Sequence, residues 1–136
     1  AGWIVAWGDT SGSRTGNGGI EIASTVAETA GILEDVNPAR FTMLWGDDAI
    51  TGIEEVTDMA DLKDMKPKGG GGTSMGYVFD WINKQDSKPD LLICFTDGYV
   101  SFPKRPPDYP VIWASTTDVK YPFGSVVRVL KKVPQP

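Results

Sequence analysis

Trp3-Ile4-Val5-Ala6-Trp7 runs into Asp9-Thr10-Ser11-Gly12-Ser13, and the join between them decides the fold. The first stretch is nearly continuous in apolar character, which suits a strand buried on both faces, as in a parallel sheet. The second gathers an acid and hydroxyls at a turn, and a long helical pattern follows. Carboxylate and hydroxyl oxygens are hard donors, so a turn of this kind suits a hard divalent cation such as Mg2+. The pattern gains weight only if the rest of the chain brings further oxygen ligands to the same edge.

Working outward, Arg14 to Gly19 reads as a loop. From Ile20, apolar residues recur at helical spacing: Ile20, Ala23, Val26, Ala27, Ala30, Leu33 and Val36 track one side of a helix that Asn37-Pro38 ends. Phe41 to Trp45 is a second central strand, terminated by Gly46-Asp47-Asp48. Ile50 to Val56 alternates in part and is expected to pair antiparallel at an edge. Asp58 to Lys68 is an irregular or short helical connection. Gly69 to Gly72 cannot be an element interior, and they allow close backbone approach. A helix follows with Met75, Val78, Phe79 and Ile82 on one face and Thr73 or Ser74 as N-cap. Leu91 to Phe95 is the most apolar strand and ends in Thr96-Asp97-Gly98. The prolines between Phe102 and Pro110 rule out a regular helix there. Val111 to Ala114 and Ser125 to Leu130 are two more strands, with a turn at Tyr121 to Gly124.

Strands alternating with helices give an open, doubly wound α/β sheet. About six mostly parallel strands, one antiparallel edge strand and helices on both faces are expected. In such sheets ligands gather beyond the carboxyl ends of the strands. Asp9, Thr73 and Asp97 fall at or near that edge, and Asp47 and Asp48 join them.

Composition narrows the chemistry. The chain has 136 residues, 40% hydrophobic and 23% charged, the balance of one globular domain. We expect a single domain over 1–133 with a tail at 134–136, excised from a longer protein. The net charge of -5 disfavours nucleic acid and anionic membrane as partners. The lone cysteine, Cys94, forbids an intrachain disulfide and fits a reducing, cytoplasmic setting. The absence of histidine removes Ser-His-Asp and Cys-His catalysis and His-based zinc sites. Cys94 reads as an inert core thiol, the five tryptophans as core and rim packing, Asp47 and Asp48 as turn acids, and Glu28 as a solvated helix residue. The loop around Arg105-Pro106-Pro107 reads as surface, or as the wall of a groove beside Asp97.

Taken together, DTSGS, the glycine-rich loop with Thr73, and FTDG resemble the metal-ion-dependent adhesion site of von Willebrand factor A (VWA) domains. The pattern there is Asp-x-Ser-x-Ser, a distant Thr, and a distant Asp at a strand end. Asp9, Ser11, Ser13, Thr73 and Asp97 match it. GGGGTS, FTDG, the following FP, the PVIW run and PFG look like one bacterial VWA-like subfamily. There the domain sits C-terminal to a metallopeptidase-like region, often in company with MoxR-type AAA+ ATPases. This chain departs from the subfamily at Ser74, where Asp is usual, and at Gly76-Tyr77, where a Pro tends to stand.

The resemblance implies Mg2+, with Mn2+ or Ca2+ as substitutes, held directly by Ser11 and Ser13. Thr73 would bind directly or through water, and Asp9 and Asp97 would act mostly through water and hydrogen bonds. It implies a protein-interaction module without catalysis, whose metal shell is completed by a partner's Asp or Glu. Two other readings stay open. One is a Mg2+-dependent phosphoryl-transfer enzyme with Asp9 as nucleophile and Asp97 as metal ligand, against which Ser11 stands where a second carboxylate is usual. The other is a structural VWA domain with an unused site.

Overall fold

The computed structural model describes residues 2–9, 18–64 and 74–128, with the backbone alone for 18–24 and Asp64. Its strands are β1 (Trp3–Asp9), β2 (Arg40–Gly46), β3 (Ile50–Val56), β4 (Leu91–Thr96), β5 (Val111–Ser115) and β6 (Ser125–Arg128). The helices are α1 (Gly18–Val36), a 3-10 helix (Met59–Asp64) and α2 (Gly76–Asn83). The described strands form one six-stranded sheet in the order β3-β2-β1-β4-β5-β6. Every neighbouring pair is parallel except β2–β3, so the expected antiparallel edge strand is β3.

The two faces of the sheet carry separate cores, which is why β1 reads as continuously apolar. Ile4 and Ala6 pack with Phe95, Met43 and Trp45 under Val26, Ala30 and Leu33 of α1 and Leu62 of the 3-10 helix. Trp3, Val5 and Trp7 point the other way and pack with Cys94, Leu92 and Trp113 under Val78 and Ile82 of α2. The tryptophans do pack as core and rim: Trp7, Trp45 and Trp113 are fully buried and Trp3 nearly so. Asp90 ties the amino ends of the central strands, accepting the Trp3 N–H at 2.8 Å while its own N–H donates to the Trp3 carbonyl.

Three expectations need correction or delimiting. The stripe on α1 is narrower than the spacing suggested: Val26, Ala30 and Leu33 are buried, but Val36 is 49% exposed. Val36 lies about 80° around the helix from Val26, at the margin of the stripe. Ile20 and Ala23 lie outside the described side chains. Asn37 closes α1 in the left-handed region, at φ 50°, and donates its N–H to the Leu33 carbonyl. At α2 the N-cap position is Met75, with no side-chain cap, rather than Thr73 or Ser74. Ser74 is instead held in a parallel bridge with Ser101, so the helix begins later and buried Met75 anchors it. Thr73 itself lies outside the described residues. The loop at 105–107 lines a cleft with Asn83 and Lys88 at the amino ends of β4 and β5, not a groove beside Asp97. Lys88 and Asp108 pair there at 2.5 Å.

Candidate metal centre at the carboxyl edge

The strand order reverses at β1, which has β2 on one side and β4 on the other, so the carboxyl ends of these strands open a crevice at a topological switch point. Asp9 is the last residue of β1 and is 3% exposed. Register carries Gly8 to Phe95, which sets Asp9 next to Thr96 on the face they share with Trp7 and Cys94. Thr96 donates its hydroxyl to Asp9 Oδ2 at 2.5 Å, and the Thr96 hydroxyl oxygen in turn accepts the Gly98 N–H at 3.1 Å.

Asp97 follows Thr96 and is partly buried. Its Oδ1 accepts the Tyr99 N–H at 2.9 Å, a turn that holds the carboxylate at the strand end. The Thr117 hydroxyl donates to the Asp97 carbonyl, and Thr116 N–H to the Thr96 carbonyl, so the loop after β5 braces the segment. Gly98 sits at φ +87°, and a Cβ there would collide with the Tyr121 hydroxyl and Val119. Thr-Asp-Gly therefore works as a unit: a hydroxyl to hold Asp9, an acid at the rim, and a glycine the turn requires.

At the end of β2, Asp47 is buried and Asp48 exposed; Asp47 Oδ1 accepts the Asp48 N–H at 2.6 Å. These are turn acids, as expected, and they sit on the rim of the crevice. Tyr77 at the start of α2 places its hydroxyl against Gly46, where it accepts Trp7 Nε1–H at 2.7 Å. Burial raises the ionisation of Tyr77 most, and the Trp7 hydrogen bond opposes it. The charges of Asp9, Asp47 and Asp48 add to the rise, leaving it well above the tyrosine range. Burial, and then the charge of Asp9, likewise push the Cys94 thiol far up, which keeps it inert as expected.

Of the five residues matching the adhesion-site pattern, the structure brings Asp9 and Asp97 to the ends of the adjacent strands β1 and β4. Ser11, Ser13 and Thr73 lie outside the described residues. Ser74, next in sequence to Thr73, pairs with Ser101 beyond Asp97. Among the described residues no group of three or more His, Cys, Asp or Glu could hold a metal ion. A soft, closed centre therefore finds no ligands there. The described donors there, Asp9 and Thr96, are hard oxygens fixed by each other, the donor type that a hard cation takes. Sequence reasoning missed Thr96, Tyr77 and Tyr121. The period-2 alternation of β4, which sets Thr96 on the face of Cys94, was the available signal for the first.

A family model described as a VWA-like domain (DUF2201) matches residues 4–130. Among curated proteins and solved structures, none matches the chain at a significant level. No helix among the described residues is long and apolar enough to cross a membrane.

Proposed function

The chain belongs to this VWA-like domain family, and from that premise we propose that it is a metal-dependent protein-interaction module. The ion would be Mg2+, with Mn2+ or Ca2+ as substitutes, held by Ser11, Ser13 and Thr73 with Asp9 and Asp97 acting mostly through water. The observation that carries the reading is Asp9: a buried carboxylate at the switch point, gripped by Thr96, with Asp97 just past the end of the next strand. A buried carboxylate needs compensation by hydrogen bonds or a cation.

When bound, the ion would supply an electrophilic coordination position. Hydroxyl ligands do not neutralise it, so an acidic side chain of another protein would complete the shell. The chain's own residues orient the hydroxyls and set the approach. The α1 helix returns the chain from the carboxyl edge of β1 to the amino edge of β2, so its positive end faces the same crevice and favours an anionic partner group. By the resemblance at GGGGTS and FTDG, we place the partner among MoxR-type AAA+ ATPases in a cytoplasmic assembly.

Binding is preferred over phosphoryl transfer because a nucleophilic Asp9 would need to reach phosphorus, and it is buried with Oδ2 engaged. Titration calorimetry with Mg2+ and Mn2+ tests the proposal. The intact chain should take up one ion, and Asp9→Ala should weaken uptake by at least about tenfold. A chain that binds neither ion overturns it.

A further inference from the structure

The two walls of the crevice are built alike and finished differently. On the β4 side, Gly98 leaves the space of a Cβ to the Tyr121 hydroxyl, which donates its proton to Ser115 Oγ at 2.6 Å. On the β2 side, Gly46 leaves the same space to the Tyr77 hydroxyl. That oxygen accepts a hydrogen bond from Trp7 Nε1 at 2.7 Å and hands its own proton to no described residue. A phenol that accepts in this way still has one hydrogen to donate.

Position makes the spare donor pointed. Gly46 is the register partner of Asp9 across β1–β2, and Trp7 lies on the same face of β1 as Asp9. The Tyr77 hydroxyl touches both, and the charge of Asp9 acts on it. The side chain is half-buried, and its ring meets Trp7 edge to face, with centroids 6.3 Å apart and planes at 80°. Those contacts fix the position of the hydroxyl oxygen before anything binds, so little ordering cost remains. Burial also keeps it protonated, hence a donor, throughout the neutral range.

Resting on the metal-dependent reading above, we propose that Tyr77 is a specificity-determining residue. Its O–H binds the carboxylate oxygen of the partner that the metal ion does not take. An acidic side chain offers an acceptor at both oxygens, whereas an amide can offer only an NH2 at the second position, which faces the Tyr77 proton as donor against donor. The site thereby selects Asp or Glu over Asn or Gln.

The test uses the full chain saturated with Mg2+, with acetate and acetamide as probes followed by NMR, and Mn2+ affinity measured alongside. Tyr77→Phe should weaken acetate by about tenfold, toward the affinity for acetamide, while Mn2+ affinity stays within about twofold. In the unmutated chain the Tyr77 Cζ carbon resonance should shift on adding acetate and not acetamide, a readout that needs no variant. Unchanged acetate binding with intact Mn2+ binding, or a silent Cζ resonance, overturns the role of Tyr77 and leaves the metal reading standing. Parallel loss of Mn2+ and acetate affinity assigns Tyr77 a structural role and also overturns it. A chain that binds no Mn2+ at all removes both readings together.

Discussion

Thr96 uses one hydroxyl twice, donating to Asp9 and accepting from the Gly98 N–H, with no exposed surface. Thr96→Val keeps the shape and removes both bonds, leaving a buried carboxylate short of a donor and an N–H without an acceptor. The expected cost is about 1–3 kcal/mol in urea unfolding. On the proposed metal-dependent reading, Mn2+ affinity should fall about tenfold because Asp9 loses its orientation. Thr96→Ser should restore most of both. At this scale the sequence was legible where the signal is local. Asp9 and Asp97 read correctly as acids at strand ends, because an apolar run followed by a polar turn announces itself. The partnership of Asp9 with Thr96 did not, because it depends on β1 lying beside β4, a pairing across most of the chain that no local pattern encodes. Tyr77 and Tyr121 were illegible for the same reason: each becomes meaningful only through a glycine on a distant strand.

Among the elements, β3 shows how an edge strand is fastened. Glu55 stands opposite Thr42 in the antiparallel register, accepts the Thr42 hydroxyl at 2.7 Å, and pairs with Arg40 at 2.9 Å. Trp3 Nε1 donates to the same Thr42 oxygen, and the Arg40 guanidinium lies over the Trp3 ring, so one chain of contacts crosses β1, β2 and β3. Partial burial pushes the Glu55 carboxyl up. The hydrogen bonds from Arg40 and Thr42 and the charge of Arg40 outweigh it, so the group ends below its ordinary 4.5. A depressed carboxyl stabilises above its unfolded value and loses that stabilisation as the pH falls through the folded one. Glu55→Gln should therefore cost about 0.5–1 kcal/mol at pH 7, a figure kept small because both partners are half exposed. The difference from the unmutated chain should vanish below the ordinary glutamate range, as urea midpoints at neutral and acid pH would show. Alternation at Ile50 to Val56 was enough to foresee this strand. The start of α2 was not, because the bridge between Ser74 and Ser101 that delays it joins segments far apart in sequence.

For the whole molecule, the two cores differ in what they enclose. The α1 face is built from apolar side chains, whereas the α2 face also holds Cys94 and Tyr109, with Tyr77 and Tyr121 packed against it. Burial is the largest cause raising all four ionisations, from ordinary values of 9.0 for the thiol and 10.0 for the phenols. The unfolded chain then releases these protons at a lower pH than the folded one. A raised group stabilises fully below its unfolded value and loses that contribution as the pH climbs toward its folded one. Unfolding free energy should stay level to about pH 9 and then fall, each proton contributing about 1.4 kcal/mol per pH unit once the unfolded chain has lost it. The fall should take out the α2 side, which also backs Asp9. Tyr109 separates burial from hydrogen bonding, because its hydroxyl is buried with no hydrogen-bond partner among the described residues. Tyr109→Phe removes that unsatisfied group and keeps the ring, so it should raise stability at pH 7 by about 1 kcal/mol. It should also flatten the alkaline limb by one proton. Urea unfolding of the two proteins from pH 7 to 11 checks both effects. A variant that loses stability at pH 7 would mean that the Tyr109 hydroxyl is hydrogen-bonded in the folded chain after all.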